Sequence, residues 1–253
     1  LTEQQIADWG WRIPFAFGLL IGPVGLYIRR NIHEPESWRQ QTRPPAAPLR
    51  TLFASQKTLL LTAIGLMVIS TAINYMLNYV PTRTLALPAS AAYGATLVAG
   101  VILTVVTPLV GLCAERIGRL PLMWGSLGML AVTILPAFWL MSLHVTPLTL
   151  IALVAWMALL KSVYFATVPS LMADLFPVST RASGMAISYN VAVTVFGGFA
   201  PFICTLLISA TGSHLAPSYY LMSVSVLSVL ALYNTRRRDN RQSRKTVERG
   251  MVS

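Results

Sequence analysis

One lysine stands where a membrane-crossing helix ordinarily has no charge. Lys161 lies in the apolar run V-A-W-M-A-L-L-K-S-V-Y-F, fourteen residues after Pro147 and thirteen before Asp174. At about 1.5 Å per residue its ammonium would have to reach roughly 20 Å along the helix to find water, further than a snorkelling side chain extends. An ionisable group that deep costs about 2.5–3.5 kcal/mol on insertion scales, so it is expected to face a cavity or a partner rather than lipid. In a low-dielectric cavity it would attract a carboxylate far more strongly than in water. The competing reading is a structural ion pair with an acid on another helix.

A second polar constellation lies on an earlier apolar run, which carries Ser70, Thr71, Asn74, Tyr75 and Asn78. Thr71, Asn74 and Asn78 are spaced three and four apart and share one helix face. Amides in hydrocarbon need hydrogen-bond partners, so this face is either interhelical glue or the polar wall of a substrate cavity. Tyr164 follows Lys161 by three residues on the same side, and Asn190 shares a face with Thr194. Lys161, Asn74, Asn78, Tyr164 and Asn190 are the candidate substrate-binding residues. Gly197 and Gly198 just beyond allow close packing or a hinge.

The elements that must hold these residues are membrane helices. The 253 residues are 55% hydrophobic and only 11% charged, which excludes an ordinary soluble domain. Seven runs are long enough to span or nearly span, at about 11–28, 59–80, 91–113, 120–143, 147–172, 182–209 and 218–233. The fold class is therefore all-α, a polytopic transmembrane helical bundle. If the runs alternate in direction, sixteen of the nineteen Lys and Arg fall on one side, Arg12 and Arg83 fall on the other, and Lys161 lies between. The positive-inside rule makes the crowded side the cytoplasm, so the carboxyl end is expected inside and the first residues outside. The basic stretch 236–253 reads as a topology anchor touching lipid headgroups; without interleaved aromatics it does not read as a nucleic-acid arm.

Several residues that could do chemistry do not form sites. Cys113 and Cys204 lie on different runs without partner spacing and read as packing residues; no metal, disulfide or cofactor is expected. His33 and His144 fall in connections. No Asp or Glu lies inside any run, so a buried proton-carrying carboxylate would have to come from outside this sequence. No cleavable leader is visible at L-T-E-Q-Q-I-A-D-W-G. Trp9, Trp11 and Arg12 form an interfacial belt, Pro14 suits a first helical turn, and Pro23 should bend a span in which Gly18, Gly22 and Gly25 permit close contact. Pro169 should likewise distort the lower part of the lysine-bearing run. Residues 31–57, rich in Pro and charge, are the natural domain boundary.

Two connections carry motifs. The stretch G-L-C-A-E-R-I-G-R at 111–119 resembles the G-x-x-x-D-R-x-G-R-R loop between the second and third helices of each half of major facilitator superfamily transporters. Gly111, Glu115, Arg116, Gly118 and Arg119 match it, with Glu115 in place of Asp and Leu120 in place of the final basic residue. It is either a gate, with a carboxylate and Arg pairing across a helix interface, or a positive-inside turn with glycine caps. The stretch D-L-F-P-V-S-T-R-A-S-G at 174–184 resembles E-x-x-P-x-x-x-R-x-x-G of sugar porters and metabolite:proton symporters. Its Pro177 ends one helix, Gly184 closes the motif, and Asp174 and Arg181 are expected to pair across the turn.

W-G-W-R-I-P-F at 9–15, N-Y-V-P-T at 78–82, Y-N at 189–190 with F-G-G-F-A-P at 196–201, and T-G-x-x-x-x-P-x-Y at 211–219 narrow the resemblance to the metabolite:proton symporter family, most like its citrate and tricarboxylate branch. The resemblance implies a parent of twelve spans in two halves of six, this chain supplying the sixth to twelfth. Residues 1–30 would then be the last helix of the amino-terminal half, 31–57 the cytoplasmic inter-half linker, 58–235 the carboxyl-terminal half and 236–253 the tail. It further implies a proton-coupled symporter of a small organic anion in the inner membrane, completed by the missing half of the same protein. A retinal protein would need its Lys on the last helix with an Asp counter-ion. A membrane enzyme would need G-x-S-x-G with His, or H-E-x-x-H, which this sequence lacks. The serious alternatives are a truncated membrane protein without transport activity, and a symporter of another metabolite such as a zwitterion or sugar acid.

Overall fold

The computed structural model describes residues 2–31, 48–83, 87–213 and 215–250, and every described element is helical. Seven helices among the described residues are long and apolar enough to cross a membrane. They are Gly10–Asn31, Lys57–Val80, Ala89–Ile117, Arg119–Leu143, Pro147–Leu175, Val178–Thr211 and Ala216–Arg238, called the first to seventh spans below. Each expected run is found, mostly extended by a turn or more. The extensions matter: Glu115 and Asp174, expected in loops, lie in the last turns of the third and fifth spans. His33, most of the expected linker, the side chains of Pro81 and Thr82, and the tail side chains beyond Arg238 lie outside the described residues.

The chain divides into two compact units, Leu1–Pro44 and Pro45–Ser253. In the first, Thr2 caps the helix Glu3–Asp8 through a reciprocal pair with Gln5. Arg12 stacks over Trp11 at 4.9 Å, and Trp11 meets Phe15 edge-on. The span breaks at Leu19–Leu20, one turn before Pro23. Pro23 has no N–H for the Leu19 carbonyl, which accepts from Gly22 instead at 3.2 Å. Phe15, Phe17, Leu20 and Ile21 are all exposed, as in a helix whose natural neighbour is lipid or another bundle.

In the second unit the short helix Pro48–Ser55, inside the stretch read as linker, buries Leu52 completely and leads into the second span. The second span is the central element, with Leu66, Ile69, Ala72 and Met76 enclosed by its neighbours. The third span lies at the edge: Ala91, Ala95 and Ala99 form an inward stripe, while Tyr93, Leu97, Val101 and Val105 face outward. Small residues at four-residue spacing let backbones approach, and this span packs most extensively against the fifth. The third and fourth spans are joined by Gly118 alone, at φ +94°, where an L side chain would be strained. Gly111, expected in that loop, lies inside the third span.

The fifth span breaks at Ala166–Thr167, just before Pro169, and resumes as Val168–Leu175. The sixth contains a π-helical segment, Ala192–Gly198, between Val178–Val191 and Ala200–Thr211. In the π pattern the Phe196 carbonyl would bond to residue 201, but Pro201 has no N–H, and the Tyr220 hydroxyl of the seventh span donates to it instead. The seventh span continues as helix to Gly250, so the basic tail is helical through its described part.

Candidate functional site

Three spans meet around a cavity of about 220 Å³. The second contributes Met67, Ser70, Thr71, Asn74 and Tyr75; the fifth contributes Lys161 and Phe165; the sixth contributes Tyr189 and Val193. Successive i, i+3 and i+4 positions on the second span line one wall, and Phe165 follows Lys161 by four on the opposite wall. Lys161 is only 9% exposed despite its charge, which makes its partners decisive. Its Nζ donates to Asn74 Oδ1 at 2.5 Å and lies 5.8 Å from the Phe165 ring centre. Among the described residues no carboxylate pairs with it. An ammonium can only donate, so it holds the Asn74 amide with oxygen inward and leaves Nδ2 as a further donor.

The structure brings together two of the five expected binding residues and separates the others. Lys161 and Asn74 are hydrogen-bonded on the cavity wall. Asn78 lies one turn further along an exposed face, its Nδ2 donating to the Asn74 carbonyl at 3.1 Å. Tyr164 does not reach the cavity: it is 2% exposed and donates to the Leu66 carbonyl at 2.9 Å. Its three-residue step from Lys161 turns it into the interface with the second and seventh spans, where Ser228 bridges Gly65 O and Ile69 N. Asn190 is exposed and bonds to its own helix at Ala186 O, while its neighbour Tyr189 takes the cavity position. The sequence offered signals for the missed residues: Phe165 stands at i+4 from Lys161, and Tyr189 belongs to the same Y-N pair as Asn190.

At the other motif positions, one ion pair joins the start of the fourth span to the last turn of the fifth. Arg119 Nη1 meets Asp174 Oδ2 at 2.5 Å, the single ion pair among the described residues. The expected partner of Asp174 was Arg181. That residue sits in the first turn after Pro177, and its Nε is buried without a hydrogen-bond partner. Glu115 and Arg116 are exposed at the end of the third span and form no ion pair with the other described residues. Thr180, between Pro177 and Arg181, donates to Gln56 Oε1 at 2.9 Å and ties this turn to the start of the second span. Gly184 accepts the Phe176 ring: a Cβ there would stand 2.6 Å from two ring carbons.

A bundle of apolar spans around a buried cation and a partly polar cavity defines an integral membrane protein. Residues 28–235 match the family model described as "Sugar (and other) transporter", and the chain belongs to that family, within the major facilitator superfamily. It is 28% identical over 236 residues to the citrate-proton symporter of Klebsiella pneumoniae, covering 91% of this chain and 53% of that protein. It is 29% identical over 242 residues to the ectoine/proline transporter ProP of Corynebacterium glutamicum, covering 89% and 48%. The same identity holds over 242 residues with a putative proline/betaine transporter of Staphylococcus aureus, covering 92% and 51%. The chain thus spans about half the length of the curated relatives it matches. No solved structure matches it.

Proposed function

We infer that this chain forms the carboxyl half of a secondary transporter that moves a small carboxylate-bearing solute, citrate or a related organic anion, together with protons by alternating access. The observation that carries this reading is Lys161: a 9% exposed ammonium on a cavity wall, held by the amide of Asn74, with no carboxylate partner among the described residues. A substrate carboxylate would supply the opposite charge that Lys161 lacks among the described residues. The citrate-proton symporter among the relatives supports the anion, and the length of those relatives supports a second half closing the cavity. Proton transfer is assigned to that second half, because the cavity wall described here holds no carboxylate. The membrane is the inner one, with the basic end of the seventh span in the cytoplasm; the one-sided distribution of Lys and Arg supports this.

A second reading is favoured by the aromatic residues Tyr75, Phe165 and Tyr189 around the same cavity. Aromatic faces attract a cationic headgroup, so a zwitterion could place its carboxylate on Lys161 and its ammonium on these rings. The ectoine/proline transporter and the putative proline/betaine transporter among the relatives agree with that chemistry. Uptake of labelled citrate and labelled glycine betaine into vesicles, under an imposed pH gradient, separates the two, using the intact protein and its Lys161→Gln and Lys161→Arg variants. Accumulation of citrate that is lost in Lys161→Gln supports the anion; accumulation of betaine alone selects the second reading. Unchanged transport by a correctly inserted Lys161→Gln variant makes the lysine structural and removes the basis for both.

A further inference from the structure

A second concavity lies outside this site, between the second and seventh spans. It is about 370 Å³, walled by Leu61, Ile64, Val68, Leu227 and Leu230, with Thr58 and Asn234 at one end. Its floor is set by small residues: a Cβ on Gly65 would stand 2.7 Å from that of Ala231. Close backbones flanked by large side chains leave a channel that the protein's own atoms do not fill, and its lining forgoes dispersion contacts unless something occupies it. From Thr58 to Val68 the groove follows ten residues of helix. That is about 15 Å, half of a ~30 Å hydrocarbon core and so the depth of one leaflet.

The two ends of the groove differ in charge. Gly65 faces Ala231, and Ser228 bonds to Gly65 and Ile69, so the spans run antiparallel and Lys57 comes level with Arg237 and Arg238. Lys57 and Arg237 are exposed, and the Arg237 guanidinium lies 4.6 Å from the Tyr233 ring. Guanidinium forks match phosphate geometry, and basic residues near an anionic leaflet each add attraction. The deep end, at Val68 and Phe196, is apolar.

We propose that the groove between the second and seventh spans binds one acyl chain of an anionic phospholipid, whose phosphate headgroup rests on Lys57, Arg237 and Arg238. The depth of one leaflet, the apolar wall and the cationic rim at one end all fit this occupant. The site is independent of which solute the protein carries.

The test is photo-crosslinking of the full chain in lipid nanodiscs with phospholipids bearing a diazirine on the acyl chain, offered as phosphatidylglycerol or phosphatidylcholine with the same chains. Labelled positions are mapped by mass spectrometry. Label is expected to concentrate on Leu61, Leu227 and Leu230 and to favour phosphatidylglycerol. Lys57→Gln and Arg238→Gln should each reduce that preference about fivefold, as the loss of ~1 kcal/mol per basic residue gives. Leu230→Trp should fill the groove and abolish label there while label on Leu97 and Leu109 of the third span persists, which reports insertion. Equal labelling by both headgroups, or label spread evenly onto the third span, would reduce the groove to ordinary lipid contact and overturn the proposal. Absence of label from Leu61, Leu227 and Leu230 in a protein that elutes as a dimer would assign the groove to a second copy of the chain and overturn it as well.

Discussion

The guanidinium of Arg119 and the carboxylate of Asp174 meet at 2.5 Å across 55 residues of sequence. Each belongs to a different motif: Arg119 opens the fourth span after the single-residue turn at Gly118, and Asp174 closes the fifth before Pro177. The pair therefore links the end of the lysine-bearing helix to the turn between its two neighbours. A change in the tilt of the fifth span would have to stretch or break this contact, and the same span carries Lys161.

Because Arg119 is 43% and Asp174 63% exposed, the pair is screened and contributes little to stability by itself. A double-mutant cycle with Arg119→Gln and Asp174→Asn, read by thermal unfolding of the purified protein, should give a coupling of about 0.2–1 kcal/mol. At about 1 M salt, where the screening length is ~3 Å, the coupling should fall towards zero. A coupling of zero already at low salt would mean that the contact holds nothing. A carboxamide at Asp174 that uncouples from Arg181 instead would reinstate the pairing expected from the sequence.

Substitution of Gly184 tests the packing content of the second motif. Phe176 is 1% exposed and its ring occupies the space where a side chain on residue 184 would begin. Gly184→Ala should therefore destabilise by about 1–3 kcal/mol, the usual range for overpacking a filled site. Adding Phe176→Leu should recover part of this loss, because the smaller side chain vacates the contact. Thermal unfolding of the single and double variants checks both, and a Gly184→Ala variant as stable as the parent would contradict the close approach.

The seven spans were legible in the sequence because hydrophobic length is a property of the chain alone. Lys161 and Asn74 were legible for a related reason: a charge and an amide in hydrocarbon must find partners, and here they find each other. Rotation about the helix axis was much less legible. Tyr164 and Asn190 stand three and one positions from residues that line the cavity, and such steps turn a side chain by about 60° and about 100°, towards a different neighbour. Which neighbour stands there depends on tertiary packing. The π segment before Pro201 makes this harder, since the extra residue shifts the register of everything beyond it. The partner of Asp174 was missed for the same kind of reason: Arg181 is near in sequence, but Arg119 is brought in by the fold.

Tyr164 and Tyr189 should separate cleanly in experiment. Tyr164→Phe removes a buried hydroxyl that donates to the Leu66 carbonyl, and should cost about 0.5–1.5 kcal/mol of stability while leaving substrate KM unchanged. Tyr189 lines the cavity and is 49% exposed, so Tyr189→Phe should leave stability unchanged. If the Tyr189 hydroxyl bonds to the transported solute, KM should rise about two- to tenfold, the equivalent of one hydrogen bond. Thermal unfolding and uptake kinetics on both variants check the assignment; a KM effect confined to Tyr164→Phe would return that residue to the site.

Adjacent glycines in the π segment make a sharper comparison, because they differ in surroundings and share almost everything else. A Cβ on Gly197 would lie 2.5 Å from Thr71 Cγ2 and 2.6 Å from the Tyr75 ring, both on the cavity wall of the second span. A Cβ on Gly198 would meet nothing nearer than its own segment's Val193 carbonyl at 3.7 Å. Gly197→Ala should thus push the sixth span off the second, costing about 1–3 kcal/mol and disturbing the side chains that face Lys161. Gly198→Ala has room and removes backbone entropy from the unfolded chain, so it should be neutral or stabilising by up to about 1 kcal/mol. Uptake should follow the same order, reduced by the first substitution and retained by the second. If alternating access instead uses this pair as a hinge, Gly198→Ala will stabilise the protein and still slow transport, a combination that packing alone does not produce.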